Sequence, residues 1–168
     1  MAASIGIIGG ADGPTAVFIT GKTGANWFNL FGLILVVLLL LPNILYAIKA
    51  DHRQTPNPGR FLNVLEQAGR YGCMFLMVFH IGIAEFGAPS LTAFLAYLFG
   101  NALLVAAYWV IWFLYFRKPA FWKQVSLAVL PTCLFLLSGI TLRHYLLVAF
   151  AVVFGIAHIS ITVRNVGH

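Results

Sequence analysis

Long apolar runs, separated by short polar or proline-bearing connections, organise this chain. Five stretches are long enough to cross a bilayer, which takes about 20 residues in helix. They cover residues 27–48, 61–86, 91–116, 124–142 and 145–163. The second is the least clean, because it carries Glu66, Arg70, His80 and Glu85. The pattern predicts an all-α integral membrane protein with about five transmembrane helices. It divides the chain into residues 1–26, an N-terminal segment, and residues 27–168, a single five-helix membrane domain. No linker is long enough to separate two domains, and no internal repeat is visible.

The connections differ in kind. Residues 49–60, "KADHRQTPNPGR", are polar, with two prolines and a glycine, and read as a loop. "GAPS" at 87–90 is a tight turn, and Arg143-His144 a minimal one. "RKPAFWK" at 117–123 is a basic turn whose Phe121 and Trp122 suit the headgroup layer. Lys49, Arg53, Arg60, Arg117, Lys118, Lys123 and Arg164 fall on one side of this topology, and Lys22 and Arg143 on the other. The bias of Lys and Arg toward cytoplasmic loops predicts an outside N-terminus and a cytoplasmic C-terminus, in the cytoplasmic membrane of a prokaryote.

Composition agrees with this class. The chain is 61% hydrophobic and only 8% charged, with a mean hydropathy of +0.95. A soluble domain would carry about a quarter charged residues. The net charge of +6 comes from ten scattered basic residues, not from a basic face, so no nucleic-acid surface is expected. Cys73 and Cys133 lie inside apolar runs and read as small buried hydrophobes. The start of the chain lacks the basic residues and unbroken apolar core of a signal peptide.

The segment "GGADGPTAVFITGKT", residues 9–23, holds two motif-like strings. Residues 16–23, "AVFITGKT", fit the loose spelling of a phosphate-binding P-loop. A working P-loop needs a flexible turn between a strand and a helix N-terminus. Here the variable positions are Val17, Phe18, Ile19 and Thr20, which are β-branched or aromatic, and a membrane span follows. Nucleotide binding is not expected. The glycines at 6, 9 and 10 miss the dinucleotide spacing as well.

The other string, "GGADGPT", reads differently. Gly9 and Gly10 allow backbone geometry denied to other residues. Pro14 suits the first turn of a helix, so Asp12 falls at a helix start. This predicts an apolar segment that breaks and restarts, re-entrant or half-spanning over residues 5–20. Broken helices at membrane depth expose carbonyls that can hold Na⁺ or H⁺. Asp12, the Thr15 hydroxyl and nearby carbonyls would form an all-oxygen cation site; the alternative is a segment that merely packs on the bundle. "IGIIGGADGPTAVF" followed by "ITGK" resembles the signature segment of the β subunits of sodium-translocating decarboxylases. These are the membrane subunits of the oxaloacetate, glutaconyl-CoA, malonate and methylmalonyl-CoA decarboxylase pumps. The resemblance implies Na⁺ binding at Asp12, with Gly10, Gly13, Pro14 and Thr15 shaping the site. It implies no tightly bound cofactor, and biotin-dependent decarboxylase subunits as partners. It covers about residues 5–22; family members are more than twice this length and carry a second polar motif. A complete pump subunit is therefore not expected; the motif reads as retained in a shortened relative, borrowed as a local ion site, or kept as an unusual membrane entry.

Within the bundle, Glu66 and Arg70 stand four apart with the acid first, the better order for a helical pair. They read either as an interfacial salt bridge or as an intramembrane polar pair lining a cavity. Glu85, near the outer end of the second stretch, is a candidate second acidic ligand for the cation. His80 and His158 raise the thought of a haem between helices two and five. Their depths differ by roughly 12 Å, counting about 1.5 Å per residue in a core about 30 Å thick. They are expected instead to bond to neighbours such as Asn101 and Ser138. No nucleophile–base arrangement points to an enzyme acting alone. Five helices suggest a homo-oligomer or a partner chain. The competing reading is a small, non-transporting membrane protein that binds a partner or lipid.

Overall fold

The computed structural model describes residues 27–49, 59–81 and 88–166. Among them are five α-helices: α1 Leu30–Lys49, α2 Arg60–Val78, α3 Leu91–Arg117, α4 Phe121–Thr141 and α5 Tyr145–Val166. The glycine-rich segment with Gly10, Asp12, Gly13 and Thr15, and the Glu85 position, lie outside the described residues. Four helices are long and apolar enough to cross a membrane: Leu30–Ile48, Leu91–Arg117, Phe121–Thr141 and Tyr145–Asn165. Their outward faces carry large apolar side chains such as Ile34, Phe99, Leu103, Phe113 and Ile156, as a bilayer-facing surface requires. The chain is an all-helical integral membrane protein.

The second helix departs from its sequence-based range. It ends at Val78 and not at 86. Phe79 is extended, and the chain there pairs with the stretch preceding α1: Asn29 N–H donates to the Val78 carbonyl and His80 N–H to the Trp27 carbonyl, both at 2.7 Å. The polar α2 is not one of the four strongly apolar helices. It packs mainly on α5. The helices α3, α4 and α5 pack in succession, and α1 attaches more lightly, to α2 and α3.

Close approach explains two of the glycines. A Cβ on Gly69 would sit 2.9 Å from the Phe154 Cα, so α2 and α5 touch backbone to backbone there. A Cβ on Gly32 would collide with the Met77 carbonyl, which sets α1 against α2. Between the helices lies a core that includes Leu39, Cys73, Met77, Tyr108, Leu134, Phe135, Leu147, Ala151 and Phe154. Cys73 is buried as expected, whereas Cys133 is exposed on α4, on the face turned away from that core.

Polar groups inside the bundle are matched with care. Pro42 lacks the N–H that would satisfy the Leu38 carbonyl in an unbroken helix. The Trp109 indole of α3 donates to that carbonyl at 3.0 Å. Asn101 and Ser138, both fully buried, bond to each other at 3.2 Å across α3 and α4. Lys123 turns its ammonium onto the Leu114 and Lys118 carbonyls, at 2.9 and 2.7 Å, and so closes the C-terminal end of α3. Asn29 caps α1 by accepting from Gly32 N–H at 3.0 Å.

Gly69 sets the α2–α5 spacing, so enlarging it is expected to be costly. Gly69→Val should destabilise the detergent-purified protein by about 1–3 kcal/mol. Ala68→Val, one position along on an exposed face, should leave the thermal unfolding midpoint nearly unchanged.

Candidate functional site

At the end of the bundle that bears the basic connections, the five helices part around a cavity of about 470 Å³. Each contributes polar side chains or apolar wall. Asn43 and Tyr46 come from α1, Glu66 and Arg70 from α2, and Tyr108, Trp112 and Tyr115 from α3. Gln124 comes from α4, and His158, Thr162 and Asn165 from α5. Leu39, Met74, Leu127, Phe135 and Phe154 form its apolar depth.

Glu66 organises this site. The residue is 5% exposed, and a buried charge is tolerated only when paired. The Arg70 guanidinium, one turn on, pairs with Oε1. From α5, the His158 Nδ1 reaches the same oxygen at 3.1 Å. The His158 ring lies flat on Phe154, with ring centres 4.8 Å apart, and that stacking fixes its orientation. Phe154 is the residue that Gly69 admits, so the same contact brings the two helices together and aims the imidazole at Glu66.

The rest of the lining is a hydrogen-bonded shell. Asn43 Nδ2 donates both to the Leu39 carbonyl, at 2.9 Å, and to the Tyr108 hydroxyl, at 2.8 Å. Gln124 Nε2 donates to the Tyr115 hydroxyl at 2.9 Å. The Trp112 indole N–H faces the Tyr108 hydroxyl, in a geometry looser than an ordinary hydrogen bond. The Gln124 Oε1 is buried without a donor among the described residues.

Glu66 and Arg70 pair with each other, and both line the cavity. Sequence reading missed the third member, His158. The signal was present: Glu66 stands six residues into α2 and His158 six residues before Arg164, so both sit at one depth. His80 does not meet His158. It lies at the opposite end of the bundle, its ring 5.8 Å from that of His144. Asn101 and Ser138, expected as histidine partners, bond to each other. Among the described residues no group of three or more His, Cys, Asp or Glu is placed to hold a metal.

His144 occupies the turn between α4 and α5. Its Nδ1 accepts from Leu147 N–H at 3.0 Å and caps α5. Burial, and next the neighbouring His80, hold its imidazole below the ordinary histidine value of 6.5. The neutral ring is the folded form. The stability it contributes is complete above pH 6.5 and is lost as pH falls through the lowered value. The melting temperature should therefore fall on acidification from pH 7.5 to 5. His144→Asn keeps a capping acceptor and should flatten that slope.

The ionised cluster predicts a second pattern. Glu66→Leu, which strands Arg70 and His158, should cost about 3 kcal/mol. The triple change Glu66→Leu, Arg70→Met, His158→Phe should recover most of that loss in thermal unfolding, because apolar groups then replace the whole cluster.

No family model and no solved structure matches this chain. One segment is similar to the oxaloacetate decarboxylase beta chain of Klebsiella pneumoniae, with 44% identity over 55 residues. The similarity covers 30% of this chain and 13% of that protein, so the chain spans a small part of the relative's length. The chain is a membrane protein with a local similarity to that decarboxylase subunit.

Proposed function

We propose that this chain is a multi-pass membrane component of cation transport, related to the sodium-pump decarboxylase β subunits. The observation that carries the reading is the cavity built from all five helices around the Glu66–Arg70 ion pair, with His158 on the same carboxylate oxygen. Charged side chains at membrane depth are expensive and belong to ion or substrate pathways by default. The local similarity to an oxaloacetate decarboxylase beta chain supports the same class.

In this reading all five helices cross the membrane, with the basic end in the cytoplasm, and residues 5–20 enter it as a broken segment. Asp12 is the central Na⁺ ligand. Thr15 and the backbone around Gly10 and Gly13 complete the site, and Glu85 is the second carboxylate. The chain works as a transport component or shortened relative, with a biotin-carrying decarboxylase subunit or a second copy as partner, and performs no catalysis alone. The short extent of the similarity favours one other reading, a non-transporting membrane protein that binds a partner or lipid.

Thermal unfolding in rising NaCl, with matched KCl, separates the two. A ligand that binds only the folded state stabilises it by about 2.7 kcal/mol at a hundred times its Kd. The expected outcome is a sodium-specific rise in melting temperature that disappears in Asp12→Asn. Flat, equal curves in both salts would leave the partner-binding reading standing.

A further inference from the structure

A second cavity lies on the flank of the bundle, between α1 and α3. It holds about 510 Å³ and is walled only by aliphatic and aromatic side chains, among them Phe31, Ile34 and Leu38 of α1 and Leu98, Ala102 and Ala106 of α3. Hydrogen bonds tie the two helices near both ends of this groove. Asn29 Nδ2 donates to the Tyr97 hydroxyl at 3.2 Å, and the Trp109 indole to the Leu38 carbonyl at 3.0 Å. These ties set the separation of α1 and α3, and with it the width of the groove.

The groove is small-walled where the neighbouring surface is large. Phe99, Leu103, Val110 and Phe113 of α3 point outward, each more than half exposed. Ala102 and Ala106, four apart and also exposed, stand beside them in the groove. Lipid chains fill against any apolar side chain, whereas another backbone comes close only over small residues, and a pair of them four apart is a recurrent seat for one.

The chain itself carries the matching pattern. Before Trp27 stand 26 residues, and within them "IGIIGG", residues 5–10, has no polar side chain and sets Gly6 and Gly10 four apart. Trp27 leads into α1 one turn before Phe31, at one end of the groove. The stretch from Ala11 to Asn26 spans up to roughly 50 Å, at about 3.3 Å per residue. The groove runs for about 18 Å, the rise of α3 from Tyr97 to Trp109 at about 1.5 Å per residue. Residues 5–10 are therefore within reach of every part of it.

We infer that residues 5–10 pack in this groove, with Gly6 and Gly10 against Ala102 and Ala106, so that the chain's own N-terminal segment covers the open flank of α1 and α3. This placement rests on the part of the preceding reading that takes residues 5–20 into the membrane, and not on sodium binding there.

The test is disulfide cross-linking of the full chain in native membranes, in a Cys73→Ala, Cys133→Ala background whose thermal unfolding is checked first. Ile7→Cys or Ile8→Cys is paired with Ala102→Cys or Ala106→Cys, and as a control with Ile156→Cys on an exposed face of α5. A disulfide requires Cα atoms within about 7 Å. Phe31→Cys with Phe94→Cys, whose native rings meet across α1 and α3, shows that the oxidant reaches the site. Expected is an intrachain link at Ala102 or Ala106 at least fivefold above that at Ile156. Ile8→Cys should also link to Ile34→Cys across the groove. Ala106→Trp, which fills the groove, should abolish that link, and Leu103→Trp on the adjoining face should not. Both tryptophans replace exposed residues, so neither change disturbs the core. A link found only between differently tagged copies would overturn the placement in favour of a second chain. The absence of any groove link would overturn it in favour of lipid. Labelling of Ile8→Cys by a membrane-impermeant maleimide separates the two readings. A labelled thiol puts the segment in water and removes the membrane reading as well; a protected thiol without a groove link removes the docking alone.

Discussion

The bundle depends on the need to pair a carboxylate in an apolar surrounding. Glu66 lies almost wholly buried, in a chain whose other described helices have nearly no charge to offer. An isolated carboxylate there would be far too costly, and Arg70 alone lies on the same helix, where pairing does not hold two helices together. His158 makes the pair an interhelical one. For that bond to form, α2 and α5 must approach to backbone contact, which the absence of a side chain at Gly69 permits. The extensive α2–α5 packing follows from these two conditions together.

The same constraint governs the backbone. A bilayer offers no water to an unmatched carbonyl, so a proline in a spanning helix must be answered by another group. Trp109 answers Pro42 by donating to the Leu38 carbonyl, and thereby ties α1 to α3. Helix ends are treated alike: Asn29, Ser90 and His144 accept from the first-turn N–H groups, and Lys123 covers carbonyls at the end of α3. These contacts are directional, whereas apolar packing is not. They fix register where the hydrocarbon surroundings contribute little drive between helices.

Against this background of matched groups, the cavity stands out chemically. On its lining the Gln124 Oε1 is buried without a donor among the described residues, beside the Glu66–Arg70 pair and the Tyr108 hydroxyl.

The apolar runs by themselves determined the class, and set the bounds of α1, α3, α4 and α5 to within about three residues, because burial in lipid demands length and apolarity of each helix separately. Glu66 and Arg70 were also legible, since a pair four apart on one helix is a local matter. The end of α2 at Val78 was not, because it rests on backbone bonds to Trp27 and Asn29, far away in sequence. Nor was the choice of histidine partners. His80 turned to His144, and His158 to Glu66, according to how α2, α4 and α5 lie against one another. Sequence sets which residues must be hidden from lipid or matched in it. Tertiary packing decides which distant group does the matching, because that depends on helix rotation and depth, and these are set by contacts between helices.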